Sequence, residues 1–563
     1  MLRRLAVWGL LAAACSPRTE RVGTSNGSGA PISAKPSFTL FALAEVRGQI
    51  GPCGCTSDPL GDISRTAQLV ADAREHGPVM VVDAGSLLYS QTPVPPHLAA
   101  QEELKADLLA DIYQNQMRVA AVGLGPADLG MGPEKLRIPR MAANVAGANP
   151  GKIEVLGDTK VGVFGVIATN AVKVPMSDPV AASRQQIAQL RAAGAQIVIA
   201  LIQAESKKDA VRLLRDIHQG PGGARMDIDV AIAGLGQNAP EPDHTELAAE
   251  RVDQTWLIVP GNRGQVVSRI DVFARGSGPL ADAIGPTAGA ARIAQLDKEL
   301  AQRDQEIATL AGDASADRAF VAKKRAERAG LADERARLAA NPLVVPRQGS
   351  YFTLSQVRIS KGLACSTSTQ SAVTAFYAAA GEANVKAARG KSAPQPKPGQ
   401  AKYVGGESCG DCHGEAVEFW SKTVHSHAWK TLVDRGQQYD YDCIGCHITG
   451  FDKPGGSTLA DNKALRDVQC ETCHGPASIH VAKGGEEKPL AVRRSPPEDL
   501  CASQCHTHEH SDTFERTAYL RDIVGPGHGE GLRKKLGDGD TGAKLRKAAL
   551  AKAGKEVGAQ CLR

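Results

Sequence analysis

A chain of 563 residues is too long for one ordinary hydrophobic core and is expected to hold about two to four domains. Its formal charge of +5 is small for that length and only 4% of its residues are aromatic. Together these argue against a broad cationic or base-stacking surface, so no nucleic-acid partner is expected.

The chain opens MLRRLAVWGLLAAACSPRTE, with Arg3 and Arg4 ahead of an apolar run from Leu5 to Ala14, then Cys15. A basic start, a short apolar stretch and a small-residue end form an export signal, and the run is too short to span a bilayer as a mature helix. LAAAC also resembles a bacterial lipoprotein processing site, with Ala12 where leucine is more usual. That resemblance implies a signal peptide over residues 1–15 and a membrane tether through a lipid on Cys15. Cleavage near Ala14 to a soluble exported protein is the other reading. No later apolar run is long enough for a transmembrane helix. Residues 16–37, rich in Gly, Ser and Pro, read as a flexible tether.

From Phe38 to about Arg275, short apolar runs (FTLFALAEV, VMVVDAG, MRVAAVGLG, KVGVFGVI, QIVIALIQ, DIDVAIAG, TWLIVPG) alternate with helix-like segments such as RTAQLVADAREHG. Runs of this length bounded by glycine predict buried strands of an α/β layered domain over 38–275. In the order of its strands and loops this region resembles the calcineurin-like metallophosphoesterase domain of 5′-nucleotidases. A dimetal site needs carboxylates and imidazoles at the strand ends. Against the family's motifs, D-x-H is here Glu45-Val46-Arg47, GD is Gly85-Ser86 and GNHE is Gly123-Leu124-Gly125-Pro126. The later histidines are replaced at Gln203 and in Gly234-Leu235-Gly236-Gln237. The resemblance therefore implies a scaffold without its metal ligands, a binding or docking domain with no hydrolytic activity. Cys53 and Cys55 lie in the loop GPCGCTSDPLGD. A disulfide one residue apart is strained, which leaves a soft metal, redox exchange, pairing elsewhere or an incidental pair as readings.

Residues 288–341 are dominated by Ala, Glu, Arg, Lys, Gln and Leu. Ile293, Leu296, Leu300, Ile307 and Leu310 keep a 3-4 spacing that breaks at Gly312, which predicts a helical hairpin, as an arm on its own domain or as a dimerising coiled coil. A helical connector is expected over 342–390 and a Pro-rich linker over 391–401. The basic tail, 531–563, is expected to be a solvated helix face. Cys365 and Cys561 could cross-link the connector to that tail.

Between 402 and 530 stand CGDCH (Cys409, Cys412, His413), CIGCH (Cys443, Cys446, His447), CETCH (Cys470, Cys473, His474) and CASQCH (Cys501, Cys505, His506). C-x-x-C-H is the attachment pattern for c-type haem: two thioethers clip the porphyrin and the next residue is the imidazole that turns onto the iron. Paired cysteines could instead build zinc ribbons, but ribbons do not need a histidine directly after every second cysteine. The fourth motif carries one extra residue between its cysteines, and a structural disulfide there is the alternative to haem. Candidates for the other face of each iron are His425, His427, His480, His508, His510 and His528. Iron held by two histidines is coordinatively full and carries electrons instead of binding substrate.

The order CGDCH, then W and T-x-H before Ala428, then CIGCH, CETCHGP with His480, and GPGHG at 525–529 resembles the cytochrome c-554 family of tetrahaem electron carriers. The resemblance implies four covalent haems in a mostly helical and loop domain, with His425, His480 and His528 as distal ligands. It further implies one five-coordinate iron, unless His427 or His508 fills the vacancy. The function it implies is electron transfer between redox proteins in the periplasm or at the cell surface. The other readings are a reductase of a small nitrogen or sulfur species at the open iron, and a phosphoesterase with atypical ligands.

Overall fold

The computed structural model describes residues 35–52, 56–219, 227–276, 278–283, 286–312, 318–340, 346, 348–507, 510–554 and 557–561. The export segment with Cys15, the Cys53 and Cys55 pair, and His508 lie outside the described residues. In chain order the strands are β1 (Phe38–Leu43), β2 (Val79–Asp83), β3 (Ala121–Val122), β4 (Gly151–Leu156), β5 (Thr159–Ile167), β6 (Ile197–Gln203), β7 (Val230–Gly234), β8 (Glu250–Val252), β9 (Thr255–Ile258), β10 (Val266–Phe273), β11 (Ala281–Asp282) and β12 (Tyr351–Arg358). The longer helices are α1 (Ile63–His76), α2 (Ala99–Asp111), α3 (Pro179–Ala192), α4 (Lys207–His218), α5 (Pro286–Gly312), α6 (Arg318–Ala340) and α7 (Thr367–Ala388).

The strands make two six-stranded sheets, ordered β11-β12-β10-β1-β2-β3 and β4-β5-β6-β7-β9-β8. Side chains alternate across a strand, and here the alternation sorts them into layers. Leu40, Ala42, Met80 and Val82 of the first sheet meet Val161, Val163, Ile199 and Leu201 of the second in one buried core. Phe41, Leu43 and Val81 point the other way, into a core shared with Val70 of α1, Leu109 of α2 and Phe376 of α7. On the outer face of the second sheet Val166, Val198 and Ile202 pack on Ile187 of α3 and on Leu213 and Leu214 of α4. The result is a helix–sheet–sheet–helix sandwich, the α/β layered domain expected from the apolar runs.

Two expectations change. The connector over 342–390 is helical only from Thr367; Tyr351–Arg358 is a strand that pairs antiparallel with β10, Phe352 opposite Val272 and Leu354 opposite Ile270. The first sheet therefore extends past residue 275, because Phe352 and Leu354 supply apolar residues to the core between the sheets. The helical hairpin is an insertion between β11 and β12. Its two helices are clasped by Arg292–Glu334, Arg328–Asp304 and Arg335–Asp297 pairs, while Leu296 is buried.

After the linker the chain changes character. Residues 402–530 form short helices, among them Gly410–Trp420, Tyr441–His447, Cys470–His474, Leu500–Gln504 and Arg516–Ile523. The buried side-chain cluster of this region is small, with Trp429, Ile444, Ile448 and Leu459 at its centre. The tail is more than a solvated face. Its helix Gly542–Lys552 packs against Arg516–Ile523, and the chain then returns to the N-terminal domain, where a disulfide joins Cys561 to Cys365. Among the described residues no helix is long and apolar enough to cross a membrane.

Candidate functional site

One helical turn brings residues i, i+3 and i+4 to one side, and the second and third attachment motifs lie whole on short helices, Tyr441–His447 and Cys470–His474, that offer two thiols and an imidazole together. The helix carrying Cys443, Cys446 and His447 starts at Asp440, whose carboxylate accepts the N–H of Asp442 at 2.9 Å. The helix carrying Cys470, Cys473 and His474 is fixed by Glu471. This buried carboxylate accepts the N–H groups of Gly405 and Ala477, both at 2.8 Å.

The motif histidines are oriented by their second ring nitrogen. His447 Nδ1 donates to the carbonyl of Ala428 at 2.6 Å, and His474 Nδ1 to that of Arg493 at 2.7 Å. A carbonyl only accepts, so the proton sits on Nδ1 and leaves the Nε2 lone pair for a metal. Burial lowers the pKa of His447 and of His506. Burial, with His506 alongside, pushes His425 down to about 4. The neutral imidazole that results is the ligating form.

Two of the candidate distal histidines stand opposite motif histidines. His413 faces His480 with ring centres 6.4 Å apart and planes at 17°, and His425 faces His506 at 6.3 Å and 41°. Two metal–nitrogen bonds of about 2 Å, with about 1.1 Å from each nitrogen to its ring centre, add to about 6.2 Å. Both ring-centre separations are close to that sum. His528 lies beside His474, whose proximity lowers its pKa together with burial. It is placed by the GPGHG turn: Gly527 has φ +84°, and a Cβ there would come 2.6 Å from the backbone nitrogen of Ala416. That leaves His447, which has no imidazole opposite it among the described residues. His427 is exposed and among the described residues no other imidazole ring stands against it; its Nδ1 lies 2.8 Å from Ser426 Oγ and 3.2 Å from the Thr423 carbonyl.

The thiols of Cys409 and Cys470 are neighbours, as are those of Cys446 and Cys505. The first motif is therefore against the third, and the second against the fourth. Among the described residues no three or more His, Cys, Asp or Glu side chains converge on one point, an arrangement unlike a zinc ribbon. A cavity of about 1790 Å³ is lined by Cys443, Cys446, His447, Cys501, Cys505 and His506, larger than the usual small-molecule pocket. Facing imidazoles, flanking thiols and a cavity of that size fit covalently attached haem.

Several residues that shape the site gave no sign in the sequence. Gln101 of α2 donates to Asp440 at 2.7 Å, and Lys105 reaches Asp442 at 2.9 Å. Burial disfavours the charge on Lys105, but Asp442 and Glu102 outweigh it and hold the ammonium above its usual range. Asn384 of α7 donates to Gln101 at 2.7 Å and to the Tyr439 carbonyl at 2.9 Å. The N-terminal domain thereby grips the helix of the second motif.

Where the phosphoesterase scaffold would hold metals, the chain satisfies itself. Buried Glu45 accepts from Gln203 Nε2 and from the Gly236 N–H, both at 3.0 Å, and from Arg47 Nε at 3.1 Å. Arg47 also donates to Gln237 at 2.8 Å. A guanidinium and two amides occupy the hydrogen-bonding positions of that carboxylate.

The motifs and facing imidazoles make the C-terminal third similar to a c-type cytochrome. Residues 408–475 match the family model described as cytochrome c554 and c-prime. Cytochrome c-554 of Nitrosomonas europaea is 31% identical over 119 residues, 18% of this chain and 51% of that protein. The chain thus spans about half the length of the curated relative it matches. The reduced-state structure of cytochrome c554 from the same organism aligns at 24% identity and a TM-score of 0.17, over 25% of this chain and 80% of that one. The N-terminal part has 5′-nucleotidases and calcineurin-like phosphoesterases as its structural neighbours. One is a 5′-nucleotidase precursor from Thermus thermophilus, at 14% identity and a TM-score of 0.38, covering 71% of this chain and 68% of that one.

Proposed function

We propose that the protein is an exported multihaem c-type cytochrome that passes electrons between redox proteins through four covalently attached haems. The observation that carries this reading is the pair of facing imidazoles, His413 with His480 and His425 with His506, with ring centres 6.4 Å and 6.3 Å apart. Bound haem supplies one-electron chemistry between ferric and ferrous iron.

The chain's own residues do the rest. Cys409, Cys412, Cys443, Cys446, Cys470, Cys473, Cys501 and Cys505 hold the four groups, the last two across a motif one residue longer than usual. His413, His447, His474 and His506 are the proximal ligands; His480, His425 and His528 are the distal ones. The first motif beside the third, the third beside the fourth through Cys473 and Cys501, and the fourth beside the second set the groups in one connected series. Short separations favour rapid transfer. A disulfide between Cys365 and Cys561 accords with an oxidising compartment. Export, with or without a lipid on Cys15, is part of the same proposal. Electron paramagnetic resonance of the oxidised protein is the test: three low-spin signals support it, and an all-high-spin or silent sample contradicts it.

A second reading has one observation in its favour. His447 faces the cavity with no opposing imidazole among the described residues, so its iron would be open to a small nitrogen or sulfur species, as a reductase requires. A high-spin signal that shifts on adding nitrite or hydroxylamine, with turnover, would support it. The phosphoesterase reading has no such support, since Glu45 is already engaged by Arg47 and Gln203.

A further inference from the structure

The cavity that holds the second and fourth motifs has a wall built by the other domain. Ile50 and Arg65 from the N-terminal sandwich and Phe376 and Tyr377 from α7 line it opposite the cysteines. Three of those four residues are what a porphyrin face asks for, being apolar or aromatic. Arg65 is not.

Arg65 stands in the first turn of α1 and is only 7% exposed. Its Nε and Nη1 are buried and have no hydrogen-bond partner among the described residues. The nearest carboxylate oxygen, Asp62 Oδ2, is 3.8 Å from Nη1, beyond hydrogen-bond distance. Asp62 caps α1 through its other oxygen, Oδ1 accepting from Ser64 N at 2.9 Å and Ser64 Oγ at 2.6 Å, which leaves Oδ2 as a long ion-pair partner of Arg65 and no hydrogen-bond acceptor for its Nη1. A guanidinium carries its donors in a rigid planar fork that matches the two oxygens of a carboxylate. Leaving the donors of such a buried fork without acceptors at hydrogen-bond distance is unfavourable, so an anion inside the cavity is its natural complement.

We propose that Arg65 of the N-terminal domain is a carboxylate-binding residue of the haem cavity. The carboxylate is either a propionate of a haem bound through the second or fourth motif or a free small carboxylate admitted beside it. In either case the sandwich domain, though stripped of metal ligands, is part of the electron-transfer unit: it sets the charge beside the iron.

This rests on haem filling the cavity, and the test separates the two claims. Full-length protein exported with a haem-maturation system is prepared unmodified and as Arg65→Lys and Arg65→Gln, and haem per chain is counted for each. Redox potentiometry follows. Loss of a positive charge near one iron favours its ferric state, so Arg65→Gln lowers one midpoint potential by a roughly tenfold shift in the equilibrium, about 59 mV, while Arg65→Lys shifts it less.

If the carboxylate is a propionate, acetate leaves the potentials and spectrum of the unmodified protein unchanged. If it is free, acetate shifts them saturably and Arg65→Gln abolishes the response. A fully haem-loaded Arg65→Gln protein with unchanged potentials, together with no acetate response in the unmodified protein, overturns the proposal and leaves the cytochrome reading intact. Protein without haem ends that reading instead. Should neither variant load haem, a crystal structure of the unmodified holoprotein decides the matter: carboxylate oxygens at Nε and Nη1 support the proposal, and water or an empty space there overturns it.

Discussion

Gln101 and Asp440, 339 residues apart in the chain, are joined by a 2.7 Å hydrogen bond between buried side chains. The same amide accepts from Asn384 at 2.7 Å and from the Tyr441 N–H at 3.2 Å, so one side chain of α2 ties α7 and the start of the second motif together. Replacing it with leucine keeps the bulk but strips a donor from the buried Asp440 and an acceptor from Asn384. An unsatisfied buried polar group costs about 1–3 kcal/mol. Gln101→Leu is therefore expected to lower the unfolding free energy of the haem-loaded protein by about that amount, measured by chemical denaturation. No change would mean that the domains do not depend on this contact.

The facing rings make a prediction about spin state. His480→Ala is expected to convert one low-spin iron to high-spin, because His413 loses its opposing imidazole. His427→Ala, whose ring is exposed and faces no other imidazole among the described residues, is expected to leave every signal unchanged. Paramagnetic resonance of the two variants beside the parent reads both. The opposite pattern would reassign the distal ligands.

These variants also separate what was legible in the sequence from what was not. Cysteine, cysteine and histidine at i, i+3 and i+4 are local, so a single helical turn fixes their geometry and the motifs could be read directly. Which distal ring serves which motif is a long-range matter. His413 and His480 are far apart in the chain, and only the fold of the intervening loops brings them together. The strand at Tyr351–Arg358 was hidden for a related reason: its partner β10 lies before a helical insertion, and the helical composition on both sides masked its short alternation. Gln101, Lys105 and Asn384 carry no motif at all. Their role exists only because Asp440 and Asp442 arrive from the far end of the chain.

Stability should depend on pH through the core of the sandwich. Asp83 accepts from the Gly85 N–H at 2.7 Å and the Tyr113 hydroxyl at 2.7 Å, yet its burial pushes its pKa from 3.8 up to about 7. The folded protein thus holds this proton more tightly than the unfolded chain does. Its contribution is fully present below about pH 4 and is lost as pH rises through about 7. Denaturation midpoints of the parent, compared with Asp83→Asn, should converge at low pH and separate in slope across that window, with the parent falling more steeply as pH rises. Parallel curves would show that Asp83 titrates as it does in the unfolded chain.

The central claim is covalent haem at all four cysteine pairs, and the intact mass of protein exported with a haem-maturation system tests it most directly. The expected result is the mature polypeptide plus four haems, with proteolytic peptides containing Cys409, Cys443, Cys470 and Cys501 each carrying one. A colourless protein whose mass shows bare cysteines, or one that takes up zinc in their place, would contradict it.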